Sequence, residues 1–262
     1  MSTPRILITN DDGIRAPGLR YLQEAMSKLG EVFVYAPDRE RSATSHAVSL
    51  HSPLRVTEVR PRSFAVDGTP ADCVILAVRK LLGFKPDLVV AGINPGANLG
   101  DDVTYSGTVA GAYEGMLWGV PSIAVSLVSF DACHYETAQW AAETIASFVL
   151  EKGLPADVML NVNLPDLPLD RISGIEVTSL GRRNYHDEIV ERKDPRSGTY
   201  YWIGGSEPGH YKSPGSDFEA IGENRVSVTP LRRDSTQHDF LDRLRHDLSV
   251  SVDHDPKVTA LQ

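Results

Sequence analysis

Short apolar runs alternate with helix-period segments through most of the chain. Mostly apolar runs, each of which predicts a buried strand, lie at residues 6–8, 31–36, 87–93, 122–127 and 158–162. Segments whose apolar residues recur every three or four positions predict helices, at residues 17–29, 70–82, 106–118 and 136–151. Strands that alternate with helices predict a three-layer α/β/α fold with a doubly wound, mostly parallel sheet.

Two stretches depart from this alternation. Residues 47–66 alternate apolar and polar side chains, which predicts antiparallel strands or a hairpin at the edge of the sheet. Residues 182–225 are polar and turn-rich, and they contain two strand-like runs, 187–192 and 199–203. A turn-forming segment joins the two runs, so we expect a β-hairpin arm.

The end of the chain predicts one more strand and one more helix. Residues 226–228 form a short apolar strand, and residues 236–248 carry their leucines and a phenylalanine on one helical stripe. We expect the tail, about residues 250–262, to be disordered.

Composition and charge narrow the class of protein. The chain has 262 residues, of which 41% are hydrophobic, enough for one large domain. No apolar run approaches the ~20 residues of a membrane span, and the early first strand leaves no room for a secretory signal. Cys73 and Cys133 are far apart, so neither a disulfide framework nor a zinc cluster is indicated. We therefore expect a cytoplasmic protein, and the net charge of −9 disfavours a long nucleic-acid partner.

Polar side chains follow three of the predicted strands. If the sheet is parallel, the loops after residues 9, 36 and 93 emerge at one edge, where α/β proteins bind ligands. These loops carry hard oxygen donors of the kind that Mg²⁺, Mn²⁺ or Ca²⁺ prefers, namely Asp11, Asp12, Ser42, Asn94 and Asn98. The alternative for the aspartates is structural: one caps the helix and the other is solvated.

A second feature of this edge is Ser106-Gly107-Thr108 at the start of a predicted helix. Helix N-termini bind phosphate through unpaired N–H groups and the helix dipole, although Ser is also a routine cap. His46 lies near Ser42 in the chain and is either a ligand contact or a plain surface residue. The sequence lacks the P-loop, GxGxxG, GxSxG and HExxH motifs. A divalent ion beside a phosphate-binding helix start indicates phosphate-ester hydrolysis.

Long motifs in the chain resemble those of the SurE family, the stationary-phase survival nucleotidases. They read TNDDGIRAPG, APDRERSATSHAVSL, DGTPADCV, VVAGINPGANLGDDVTYSGTVAGAYEG and VSVTPL, in that order. The resemblance covers nearly the whole chain and implies one SurE-like domain over residues 1–262. It also implies a metal-dependent nucleotidase, which uses one Mg²⁺ or Mn²⁺ per subunit and a metal-activated water. Such an enzyme converts nucleoside 5′- and 3′-monophosphates to nucleoside and phosphate, with a side activity on other phosphate esters or polyphosphate.

The resemblance also assigns roles to individual residues. The family's metal ligands fall on Asp11, Asp12, Ser42 and Asn94. For the hydrolysis itself, we expect an aspartate oxygen that does not bind the metal to accept the proton of the attacking water. Its phosphate contacts and a site-lining position match Asn98, Ser106, Gly107, Thr108 and Asn10. Ala43 stands where many relatives carry glycine. A binding protein that uses the same pocket without turnover remains an alternative, whereas an aspartyl-phosphate phosphatase is disfavoured because DDGI lacks the DxD arrangement.

The resemblance further implies a homodimer or homotetramer. Members of the family exchange C-terminal elements, which agrees with the arm and late helix of this chain. Tyr200, Tyr201 and Trp202 are poorly covered by so short an arm, so we interpret them as an oligomer contact. In the alternatives, they pack back on the core, or one of them stacks on a substrate base.

Overall fold

The computed structural model describes residues 3–131, 133–184, 189–203 and 209–252. Thirteen strands are present in these ranges: β1 Arg5–Thr9, β2 Glu31–Pro37, β3 Val56–Arg60, β4 Ser63–Val66, β5 Leu88–Pro95, β6 Ser122–Val128, β7 Val158–Pro165, β8 Ile175–Val177, β9 Arg183–Asn184, β10 Ile189–Lys193, β11 Thr199–Ile203, β12 Gly209–His210 and β13 Val226–Arg232. The α-helices are α1 Pro17–Ser27, α2 Pro70–Leu76, α3 Gly107–Leu117, α4 Tyr135–Lys152, α5 Asp217–Gly222 and α6 His238–Val252.

Nine of the strands form one sheet in the order β3-β4-β2-β1-β5-β6-β7-β13-β8. The strands from β4 to β7 in this order all run parallel to their neighbours. β3 and β13 join antiparallel at the two ends of this parallel block. Because β1 lies between β2 and β5, the loops that follow these two strands flank the loop that follows β1.

Helices cover both faces of the sheet. Ile6 and Ile8 of β1 pack in one cluster with apolar residues of α1 and α4, whereas Leu7 packs on the opposite face with residues of α2. Alternate residues of a strand point to opposite faces, so a strand covered on both sides must be apolar throughout. The predicted three-layer, mostly parallel α/β/α fold is therefore confirmed.

Local signals in the sequence account for the helix starts. Thr69 caps α2: its hydroxyl accepts the N–H of Asp72, and the Asp72 carboxylate accepts the N–H of Thr69 in return. Ser106 caps α3 in the simpler one-sided way, through the N–H of Val109. Five further residues of π-helix, Ala77–Leu81, extend α2.

The edge hairpin, the arm and the C-terminal helix are present, with changed bounds. The edge hairpin is confined to β3 and β4, and residues 47–55 contain no strand. The arm is the antiparallel pair β10–β11, and part of the run predicted at 187–192 lies outside the described residues. α6 extends to residue 252, so the tail that was predicted to be disordered from about residue 250 begins inside a helix. The rest of that tail lies outside the described residues. No helix in the described ranges is long and apolar enough to cross a membrane.

Candidate active site

The candidate site lies at the carboxyl edge of the sheet, where the loops after β1, β2 and β5 meet. Backbone hydrogen bonds hold these loops together. The N–H of Arg41 donates to the Asp11 carbonyl oxygen at 2.7 Å, and the N–H of Ser45 donates to the Tyr105 carbonyl oxygen at 3.0 Å. The loops enclose a cavity of about 800 Å³. Five of the residues predicted from the sequence line it, namely Asp11, Ser42, Asn94, Asn98 and Ser106.

Asp11 lies against the first turn of α3. The Thr108 hydroxyl donates a hydrogen bond to Oδ1 of Asp11, whose side chain is buried. A Cβ atom at Gly107 would lie 2.8 Å from the Cβ of Asp11, so the approach of the carboxylate requires glycine at this position. The positive end of the helix dipole therefore faces a carboxylate.

The two aspartates are costly to ionise without a counter-charge. Burial raises the pKa of Asp11. Burial, followed by the proximity of Asp11 and of Glu40, raises the pKa of Asp12 to about 7. Oδ2 of Asp12 is buried and has no hydrogen-bond partner in the described part of the chain. Two desolvated carboxylates with an unsatisfied oxygen fit a bound cation, whose charge would favour the ionised forms.

The other predicted ligands add neutral oxygen donors. The Ser42 hydroxyl donates to Oε1 of Glu40 at 2.8 Å, and Nδ2 of Asn94 donates to the Gly96 carbonyl oxygen at 2.9 Å. The amide of Asn94 therefore keeps its own oxygen as the acceptor. This all-oxygen set suits Mg²⁺ or Mn²⁺. Sequence reasoning missed Glu40, whose only signal was its place two residues before Ser42.

A bulge at Gly92 precedes Asn94 in β5. The pairing of β5 with β6 shifts in register between Ala91 and Asn94, and Gly92 has a φ of +133°. A Cβ at Gly92 would lie 2.4 Å from the Val125 carbonyl oxygen. Bulges re-aim the residues that follow them, and this one precedes the polar end of the strand.

A buried polar network of side chains from β6 and β7 holds Asn98 in place. Its N–H donates to Oδ1 of Asn163 at 2.9 Å, and its carbonyl oxygen accepts from the side chains of Asn161 and Asn163. Its own Nδ2 donates to the Ser126 hydroxyl at 2.7 Å. Sequence reasoning missed the three supporting residues. The available signal was two asparagines at alternate positions of the apolar strand β7, since buried polar groups need partners.

The predicted phosphate-binding residues differ in their placement. Ser106 lines the cavity while its hydroxyl caps α3. Thr108 is fully buried, and its hydroxyl is engaged by Asp11. Asn10 is also fully buried, and its Nδ2 donates to the Gly13 carbonyl oxygen at 3.0 Å, which shapes the turn after β1.

His46 lies outside the cavity lining. Its Nε2 is 2.7 Å from a carboxylate oxygen of Glu114, and its ring packs edge-on against Tyr113. Both partners belong to α3. The structure therefore brings His46 to the helix beside the site and leaves its predicted ligand contact unsupported.

The cavity rim carries a cation and two aromatic rings that sequence reasoning did not assign. Arg183 lines the cavity, and its guanidinium pairs with Asp102, with 2.7 Å from Nε to Oδ2. Asp101 accepts the backbone N–H of Arg183 at 2.9 Å, so both members of this acidic pair hold the arginine in place. Tyr105 and Phe130 also line the cavity and are largely exposed.

The family model described as "Survival protein SurE" matches residues 6–187. The chain belongs to the SurE family. Among curated SurE proteins, "5′-nucleotidase SurE" of Geotalea daltonii is 56% identical over 238 residues, which cover 90% of this chain and 96% of that protein. "5′-nucleotidase SurE" of Geobacter sulfurreducens is 52% identical, with 94% of each chain covered. The crystal structure of the SurE protein from Aquifex aeolicus superposes with a TM-score of 0.85 at 42% identity, covering 93% of this chain and 99% of the other.

Ala43, the residue expected from the resemblance to be glycine in many relatives, follows Ser42 in the loop after β2. It has a φ of +55°, in the left-handed region that favours glycine, and it lines the cavity directly after Ser42. The loop therefore keeps a glycine-like backbone with an alanine side chain, at a cost of about 1 kcal/mol.

Proposed function

We propose that this SurE chain is a metal-dependent 5′-nucleotidase, which hydrolyses nucleoside 5′-monophosphates, and also 3′-monophosphates, to nucleoside and phosphate. The observation that carries the proposal is the pair of buried Asp11 and half-buried Asp12, whose raised pKa values and unsatisfied oxygen fit a cation beside the cavity. The names of its relatives from Geotalea daltonii and Geobacter sulfurreducens agree with this activity.

One divalent cation, Mg²⁺ or Mn²⁺, would be held by oxygen atoms of Asp11, Asp12, Ser42 and Asn94. When bound, such a cation supplies Lewis acidity to the phosphoryl group and lowers the pKa of a water molecule. The chain contributes a site that is already assembled, because hydrogen bonds from Arg41 and Thr108 hold Asp11 in place. A site that needs no reorganisation keeps its electrostatic stabilisation through the reaction.

The residues on the helix side would bind and orient the phosphate. Asn98 and Ser106 line the cavity beside the first turn of α3, whose dipole favours negative charge. Arg183 at the rim adds a positive charge near the same cavity. As water attacks phosphorus and the ester bond to the nucleoside oxygen breaks, an aspartate oxygen that does not bind the cation accepts the proton of the water.

The size and rim of the cavity favour a nucleotide over a smaller phosphate ester. A volume of about 800 Å³ accommodates a nucleoside as well as a phosphate. Tyr105 and Phe130 are exposed at its opening, and aromatic rings in this position stack on bases with little base preference. We therefore expect a broad base specificity, and slower turnover of esters without a base.

The decisive experiment measures phosphate release from AMP with Mg²⁺ or Mn²⁺, and again after removal of the metal with EDTA. Wild type should release phosphate only with the ion, and Asp11→Asn should lose at least 100-fold in kcat/KM. Asp170→Asn, which removes an exposed charge in the loop after β7, is the matched control and should retain turnover. If the protein binds AMP without releasing phosphate, the proposed nucleotidase activity is wrong and the protein is a nucleotide-binding protein.

We also propose that the arm joins subunits into a homodimer or homotetramer. The side chains of Tyr201, Trp202 and Ile203 on β11 are 60%, 64% and 84% exposed, which does not agree with packing back on the core. Exposed apolar patches of this kind are typical of protein interfaces. Trp202→Glu should lower the mass measured by light scattering without loss of helical circular dichroism. An unchanged mass would exclude this arm as the contact.

A further inference from the structure

A second cluster of metal-binding side chains lies at the same edge of the sheet, apart from the site described above. Cys133 and His134 belong to the loop between β6 and α4, and Asp166 directly follows β7. β6 and β7 are parallel neighbours, with Val128 paired to Pro165 at their ends. The two loops therefore emerge side by side, and a thiol, an imidazole nitrogen and a carboxylate converge.

The donor atoms of the three side chains lie close enough together to bind one ion. Sγ of Cys133 lies 3.3 Å from Nδ1 of His134 and 3.4 Å from Oδ2 of Asp166. Nδ1 of His134 lies 2.9 Å from Oδ1 of Asp166. Tetrahedral Zn²⁺ with its usual bond lengths to S, N and O separates such ligands by about 3.3–3.6 Å. Sγ and Nδ1 already have such a separation, whereas Nδ1 and Oδ1 would need to move apart by roughly 0.4 Å. Because the thiol contacts Oδ2 and the imidazole contacts Oδ1, the carboxylate would bind the ion through both oxygens or rotate to present one.

The carboxylate is held in position without help from an ion. Oδ1 of Asp166 accepts the N–H of His134 at 2.8 Å, and Oδ2 lies 3.2 Å from the backbone nitrogen of Cys133. Asp166 is also the least exposed member of the cluster. Hydrogen bonds that orient a ligand raise metal affinity, because less freedom is lost on binding.

We propose that Cys133, His134 and Asp166 form a second cation site, selective for Zn²⁺ or a similar thiophilic ion, with water or an added ligand in the fourth position. The mixed S, N and O donors distinguish it from the all-oxygen site of Asp11 and Asp12, which suits Mg²⁺ or Mn²⁺. The chain would thus have one site that prefers hard cations and a second that prefers softer, thiophilic cations. The site goes beyond the proposed nucleotidase and does not depend on it.

Ion binding has two chemical consequences. Hydrogen bonding to Asp166 raises the pKa of the Cys133 thiol, so the ion must displace the thiol proton, and a proton is released on binding. Phe130 and Asp131 lie just before Cys133 in the same loop and line the large cavity. An ion that joins this loop to Asp166 therefore restrains one wall of the candidate active site.

The test measures Zn²⁺ binding to full-length, metal-stripped protein in excess Mg²⁺, which occupies the all-oxygen site. Wild type should bind one Zn²⁺ per chain with micromolar or tighter affinity. Co²⁺ in its place should give a thiolate-to-cobalt charge-transfer absorption. Cys133→Ser should abolish that absorption and weaken Zn²⁺ binding at least tenfold, and Asp166→Asn should weaken it by about tenfold or more. Cys73 is buried in the core and contributes no signal.

Two controls separate this site from the first. Asp11→Asn should leave Zn²⁺ binding unchanged, and so should Asp170→Asn, which removes an exposed carboxylate near Asp166. Because Cys133 is exposed, its replacement by serine should preserve the fold, which circular dichroism checks. The proposal is overturned if wild type binds no Zn²⁺ in excess Mg²⁺, if Cys133→Ser binds it as tightly, or if Asp11→Asn alone removes it.

Discussion

Replacing Gly107 by alanine tests whether the close contact between α3 and Asp11 holds the metal site in shape. The added Cβ would lie 2.8 Å from the Cβ of Asp11 and 2.9 Å from its Oδ2. Carbon atoms in ordinary contact are about 3.5–4.0 Å apart, so Asp11 or the helix must move by about 0.7–1.2 Å. A displacement of about 1 Å in a catalytic group costs about 100-fold in rate, or about 2.7 kcal/mol of transition-state stabilisation.

Gly107→Ala should therefore lower kcat/KM for AMP about 100-fold and raise the Mn²⁺ concentration needed for half-maximal activity. Overpacking should cost about 1–3 kcal/mol of stability, partly offset by the higher helix propensity of alanine. Gly222→Ala is the matched control, because a Cβ there meets nothing within 4 Å in the described structure. If Gly107→Ala keeps kcat/KM and the Mn²⁺ requirement within twofold of wild type, the contact does not shape the site.

The remaining predictions concern charge, loop strain and buried polarity. In metal-free protein, the raised pKa of Asp12, about 7, stabilises the fold at low pH, and this stability is lost as pH rises from the unfolded value of 3.8 through 7. Urea unfolding at pH 5 and pH 8 should show this loss in wild type and a smaller one in Asp12→Asn, and added Mn²⁺ should reverse it at pH 8. A loss of equal size in Asp12→Asn would contradict the assignment. Ala43→Gly should stabilise the protein by up to about 1 kcal/mol in thermal unfolding, because relief of the left-handed strain exceeds the added chain entropy; a loss of stability would refute the strain. Asn163→Ala should cost about 2–4 kcal/mol and lower kcat, because the N–H of Asn98 loses its buried partner. A urea midpoint and kcat near wild type would show that the network is dispensable.

The local pattern of apolar and polar residues was sufficient to predict the strands and helices that bury one or two apolar faces. The runs at β1, β2, β5, β6 and β7 and the periodicity of α1, α3 and α4 all predicted elements that the structure contains within a few residues. Such elements can be predicted because their buried positions are occupied by apolar residues along the whole segment. β8, β9, β12 and α5 were not predicted, because they are two to six residues long and hold their shape through tertiary hydrogen bonds. Asp217 is an example, since its carboxylate bridges the N–H groups of Gly100 and Gly181.

Some residues of the candidate site could be predicted from the sequence, whereas the contacts that hold them in place could not. Asp11 and Ser42 follow strands that the pattern predicted, Asn94 lies at the end of another, and the structure brings all three to one cavity. The engagement of Thr108 by Asp11 had no local signal, because the two residues lie 97 positions apart. The same holds for the support of Asn98 by Asn163, 65 positions away.

The order of apolar runs and turn formers along the chain was enough to determine a parallel α/β sheet with oxygen donors at its carboxyl edge. Periodicity encodes burial, and burial decides which segments become strands and helices. Tertiary structure alone decided which distant side chains meet. Two cysteines far apart predicted no zinc cluster, yet the pairing of β6 with β7 brings Asp166 to Cys133 and His134. Strand order and register set such distances, and no local pattern records them.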